Sequence, residues 1–132
     1  MRPIDQTSEL QALATSAAPT ASCHCSLSQC KGWTSMAEER WPGDQMHKVA
    51  TLRDPDLLEP TFEEWHPEGT RYDDPNAPVA IAYFPYNRCD VWQCGACQSQ
   101  VLRYTEFGGY YVDHRVRILE EDLIVDAPAP TT

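Results

Sequence analysis

The chain has 132 residues, a formal net charge of −10 and a pI near 4.6. That length suits one modest domain that can bury its own core. The acidity speaks against a phosphate-backbone binder, which needs a basic face, and permits either a basic partner or a charge that only confers solubility.

Residues 1–22, rich in Ala, Thr, Ser and Pro, read as a flexible tail, with a short helix over "SELQALA" capped by Ser8. The stretch has no continuous apolar h-region of an export signal, which predicts a cytoplasmic protein with reduced cysteines. A single α+β domain is expected over 23–126, followed by a second loose tail at 127–132. "SMAEERW" predicts a short helix capped by Ser35 and stopped by Pro42-Gly43. "DQMHKVATL" predicts a second helix capped by Asp44, and "DPDLLEP" at most one turn.

Strand signals dominate thereafter. "TFEEW" suits an edge strand, "VAIAYF" a central strand closed by Pro85, and "VWQC" a short strand. "QVLRYTEF" and "YYVDHRVRIL" flank Gly108-Gly109, a two-residue hairpin signal. Pairing across that turn sets Phe107 opposite Tyr110, Thr105 opposite Val112 and Val101 opposite Val116. "VRILEEDLIV" then reads as strand followed by turn, with a helix as the alternative. The expected fold is α+β: short N-terminal helices, then a small antiparallel sheet with a C-terminal hairpin and a zinc knuckle.

The knuckle is Cys94-Gly95-Ala96-Cys97. Two thiolates at this spacing can face one Zn²⁺ across a tight turn where Gly and Ala fit. The remaining ligands would come from Cys89 or from the upstream cluster of Cys23, Cys25 and Cys30, of which Cys25 is the candidate taken forward. Cys89 is five residues from Cys94, which in a straight strand sets the thiols roughly 16 Å apart and on opposite faces. It joins the site only if "CDVWQC" bends. The spacing Cys89-x4-Cys94-x2-Cys97 also matches a plant-type iron–sulfur loop, but no fourth cysteine follows.

Charge is concentrated in residues 54–74, where eight carboxylates stand against Arg71 alone. Phe62, Trp65, His66 and Tyr72 are interleaved. Aromatic anchors within steering carboxylates suit a protein-binding face, and equally an acidic loop over a core in which these aromatics are simply buried. The candidate contacts are Glu63, Glu64, Trp65, Glu68, Asp73 and Asp74, with Tyr110 and Tyr111 at the hairpin tip. No P-loop, dinucleotide fingerprint or nucleophile elbow is present, so no catalytic residue is assigned.

The landmarks "GTRYDDPNAPVAIAYFPYNRCDVW", the CxxC and "LRYTEFGGYYVDHRVR" resemble a family of small proteobacterial proteins with a zinc knuckle. That family is similar to the immunity proteins of contact-dependent inhibition and related toxin systems. The likeness covers about half the chain. Gln98-Ser99 departs from the Gly-Arg expected after the second knuckle cysteine. The resemblance implies a non-catalytic protein that binds and neutralises a toxin domain, with a basic nuclease as the expected partner. The alternatives are a zinc-ribbon regulatory or nucleic-acid-associated module and an iron–sulfur electron carrier.

Overall fold

The computed structural model describes residues 2–4, 6–16, 32–53, 61–95, 98–107 and 112–127. Its centre is a sheet of β1 (Arg2–Pro3), β2 (Thr34–Ser35), β3 (Met46–Thr51), β4 (Asp90–Cys94), β5 (Gln100–Phe107) and β6 (Val112–Ile118). The spatial order is β1-β3-β4-β5-β6-β2. Only the β1–β3 pair is parallel; the others are antiparallel. One α-helix, α1 (Thr7–Ser16), completes the α+β architecture among the described residues.

Side chains alternate across the strands and build a core on each face. On one face Val91, Leu102 and Tyr104 meet Ile4 and Leu10 from the N-terminus and Val79, Tyr86 and Ile124 from the cover segments. On the other, Val101, Val116 and Cys94 meet Met36, Trp41 and Met46. Val101 and Leu102 are neighbours in β5 yet belong to different cores, as a two-residue period requires.

Part of the expected tail belongs to the first core: Ile4 and Leu10 are buried in it and Leu13 and Ala14 pack at its margin. Ile4 donates its backbone N–H to Thr51 O (2.8 Å), which extends the β1–β3 pairing, and Leu10 is 0% exposed. The helix starts at Thr7, so Ser8 lies inside it and is not the cap. Gln100 Nε2 donates to Leu13 O (3.2 Å), which ties the helix to the sheet.

The helix expected over "DQMHKVATL" is instead a 3₁₀ turn at Gly43–Gln45 followed by strand β3. β4 needs a partner on that edge, and Val49 and Thr51 are β-branched, so pairing overrides the local helix pattern. A register shift between Lys48 and Ala50 disguises the two-residue alternation. "SMAEERW" forms only one 3₁₀ turn, Glu38–Arg40. Ser35 belongs to β2, and its hydroxyl donates to Asp113 Oδ1.

"VAIAYF" is not a central strand. It crosses the first face as a largely buried cover of turns, whose β-type pairing among the described residues is a single bridge of Val79 to Ile124. Apolar runs of this length cannot be assigned by periodicity, and Pro78 and Pro85 bracket this one. A 3₁₀ turn, Tyr86–Arg88, then leads into β4. "TFEEW" is irregular, pinned where Phe84 N donates to Glu63 O (2.8 Å). "DPDLLEP" and residues 128–132 lie outside the described residues.

The hairpin forms, but in another register. Phe107 pairs with Val112, Thr105 with His114 and Val101 with Ile118. The shift is by two residues, which leaves every side chain on its expected face. The chain beyond β6 ends in a 3₁₀ turn, Glu121–Leu123, as the strand-then-turn reading expected.

Candidate functional site: an acidic aromatic face and the cysteine turn

The segment from Thr61 to Asp74 has no regular structure, so its shape comes from side chains and turns. Glu63 N donates to Thr61 Oγ1 (3.1 Å), and Asn87 Nδ2 donates to Thr61 O (2.9 Å). A turn closes where Gly69 N donates to His66 O (3.1 Å), with Gly69 at φ 82, a left-handed position that favours glycine. His66 links Glu64 Oε1 (2.8 Å) to Thr70 Oγ1 (2.7 Å) through its two ring nitrogens.

Of the expected contact residues, Glu63, Glu64, Glu68 and Asp73 are exposed. Glu63, Glu68 and Asp73 make no ion pair with any described cation. Asp74 is half-buried and structural: its Oδ1 accepts from Asn76 N (2.8 Å) and fixes the turn into the "VAIAYF" cover. Trp65 is half-buried against Tyr83, with ring centroids 5.3 Å apart. The exposed aromatic is Phe62, 72% accessible. Its presence among the acids was legible; that it, rather than Trp65, faces solvent was not. Tyr110 and Tyr111 lie outside the described residues.

Behind this face a chain of aromatic rings runs into the core. Phe62 meets Phe84, Phe84 meets Tyr72 and Tyr104, and Trp33 packs edge-on to Tyr104 with centroids 4.9 Å apart. The hydroxyls of Tyr72 and Tyr104 hydrogen-bond to each other, and Arg115 Nη1 donates to Tyr72 (3.2 Å). Burial raises the pKa of both phenols, so they stay neutral and act as structural donors and acceptors. Deeper still, Arg117 is 1% exposed. It donates to Tyr86 OH, Pro75 O (3.3 Å) and Ala77 O (2.7 Å).

A second polar cluster lies on the other face. Glu38 Oε2 accepts from Arg103 Nη2 (2.7 Å) and stands 3.2 Å from His114 Nε2, while His114 Nδ1 contacts Thr105 Oγ1 (3.1 Å). The Arg103 guanidinium lies over the Trp41 ring at 4.2 Å. Glu38 is already shared by two basic groups and Thr105 is mid-strand, so the cluster fastens the 36–41 cover onto the hairpin.

The cysteine turn is closed by Gln98 N to Cys94 O (2.8 Å) and Cys94 N to Ser99 O (2.9 Å). Gln98 takes φ 63, the left-handed conformation for which glycine was expected after a knuckle. Gly95 abuts His47: a Cβ there would lie 3.1 Å from His47 Nε2. Cys94 is fully buried, and its Sγ accepts from Gln45 Nε2 (3.5 Å). Cys89 is not brought to Cys94. It packs in the core on the opposite face, where its S–H donates to Pro85 O (3.2 Å). Burial pushes this thiol well above its usual range, so it is a neutral core group rather than a ready thiolate ligand. β4 pairs regularly with β5 from Asp90, without the bend that would gather both thiols. Cys25 and Cys97 lie outside the described residues, and no group of three or more metal-ligating side chains forms among the described ones.

No protein-family model, curated protein or solved structure matches this chain. Among the described residues no helix is long and apolar enough to cross a membrane.

Proposed function

We propose that this protein is a non-catalytic, immunity-type binder that acts in the cytoplasm and neutralises a basic, nuclease-like toxin domain by covering its active cleft. The observation that supports the reading is the exposed acidic surface of residues 61–74, where Glu63, Glu68 and Asp73 form no ion pair with a described cation. A nuclease cleft is basic because it must hold phosphates, and such a cleft is complementary to this surface. The test is association with the toxin domain encoded beside the gene. The triple variant Glu63→Lys, Glu64→Lys, Glu68→Lys is expected to associate about tenfold more slowly at low salt. The difference should fade as the Debye length shrinks toward about 3 Å at 1 M salt. Thermal unfolding should change little, because exposed charges contribute little to stability. A folded triple variant that associates and protects as well as wild type overturns the proposal.

A structural zinc at Cys94 and Cys97 belongs to the same reading, with Cys25 as a further candidate ligand. What favours it is the left-handed Gln98 closing the turn and the Gln45 amide donating to the Cys94 sulfur, as it would to a thiolate. Bound there, the metal would pin the β4–β5 turn. Elemental analysis is expected to find about one zinc per chain, lost in the Cys94→Ser, Cys97→Ser double variant. A natively folded, metal-free protein would refute it.

A further inference from the structure

We infer that Phe62 is the anchor of this face, inserting into an apolar socket ringed by lysine or arginine on the basic partner. The inference rests on the binding role proposed above and names the residue that holds the complex together once the charges have steered it.

Three observations carry it. Phe62 and Val112 are the large apolar side chains left exposed among the described residues, and Phe62 is the more exposed at 72%. Phe62 is also held in place. Its ring rests on Phe84 at 5.4 Å between centroids, and the Arg88 guanidinium lies 4.1 Å from its centroid. The backbone on either side is fixed to the 84–87 segment by the Glu63 O and Thr61 O bonds. An exposed phenyl ring gains nothing from water, so a ring fixed outward is already ordered for a partner and little side-chain entropy remains to be lost on binding. The exposed carboxylates of Glu63 and Glu64 adjoin it directly in the chain. With Glu68 and Asp73 they outnumber the nearby cations Arg71 and Arg88, so the face as a whole disfavours an anionic membrane surface and favours a socket whose rim is cationic. An apolar centre inside a polar, water-excluding rim is the arrangement in which one aromatic dominates dissociation.

The experiment measures association and dissociation rates of the full chain with a catalytically inactive form of the toxin domain encoded beside the gene, at 50 and 300 mM salt. Phe62→Ala is expected to dissociate at least about tenfold faster while its association rate stays within about twofold. The fold-change should be the same at both salt concentrations, because an apolar contact is not screened. Phe62→Trp should restore most of the lifetime. Melting curves should stay within a few degrees of wild type, since most of the ring is exposed and only its contacts with Phe84 and Arg88 are lost. If Phe62→Ala dissociates at the wild-type rate while the triple lysine variant still associates slowly, the anchor is refuted and the acidic face stands. If neither variant alters a measurable complex, both are refuted. If wild type forms no complex with that domain, the proposed function fails and the anchor with it.

Discussion

Replacing Arg117 by methionine is expected to lower the unfolding free energy by about 3 kcal/mol and the melting temperature by about 10 °C. The guanidinium is buried, and no described carboxylate forms an ion pair with it. Its charge is spread instead over two carbonyls, Pro75 O and Ala77 O, and the Tyr86 hydroxyl. Burial pushes the Tyr86 pKa up to about 12, so that hydroxyl remains neutral and accepts from the guanidinium. Methionine fills most of the volume but takes the donor from two buried acceptors, Ala77 O and the Tyr86 hydroxyl, and from the part-buried Pro75 O; each buried one costs roughly 1 kcal/mol or more. Relief from desolvating a cation offsets part of this, which keeps the expected loss near the lower end for broken buried networks. Lysine retains the charge but is a point donor that cannot span acceptors on two sides, so Arg117→Lys should fall between methionine and wild type. The measurement is a thermal and denaturant melt of the three proteins. A methionine variant melting within about 3 °C of wild type would show that Arg117 is an incidental passenger.

Nothing in the sequence marks Arg117 as buried. In "VDHRVRIL" it alternates with Val116 and Ile118, which reads as a charged residue on the wet side of an edge strand. The cover that dries that side is residues 72–86, supplied from more than 30 positions upstream, and its apolar run was read as a strand in the sheet. The same long-range cause hides the choice between Phe62 and Trp65. Both are aromatics among acids, and which one packs depends on where Tyr83 and Phe84 arrive. By contrast, β4, the β5–β6 hairpin and the terminal turn were legible, because they rest on local alternation and turn chemistry. The hairpin register slipped by two because Gly108-Gly109 was taken to fix it, whereas the pairing closes at Phe107 and Val112. The cysteine turn was legible as a turn, and the face alternation that separates Cys89 from Cys94 follows from their odd spacing. The identity of β3 was not legible, because a strand edge that needs a partner is a demand made by β4 and invisible in "DQMHKVATL" itself.

The N-terminal residues give the second large effect, and its sign is opposite to what their composition suggests. Leu10→Ala is expected to destabilise the protein by about 3 kcal/mol, within the range for a fully buried leucine whose cavity cannot collapse. Leu10 is 0% exposed and belongs to the same core as Val91, Leu102 and Ile124. Removing residues 1–16 altogether should do more. It strips Ile4 and Leu10 from that core and Leu13 and Ala14 from its margin, frees the β3 edge that β1 covers, and leaves the buried Gln100 side chain without the Leu13 carbonyl. The shortened chain should bind a hydrophobic dye and lose a sharp cooperative melt. α1 alone is ten residues long and too short to persist in water by itself, so its order comes from this packing and not from helix propensity. Limited proteolysis offers an independent check: cleavage within residues 6–16 should be slow and should accelerate in Leu10→Ala. Rapid trimming of wild type back to residue 20, with the remaining core melting unchanged, would restore the reading of this segment as a tail.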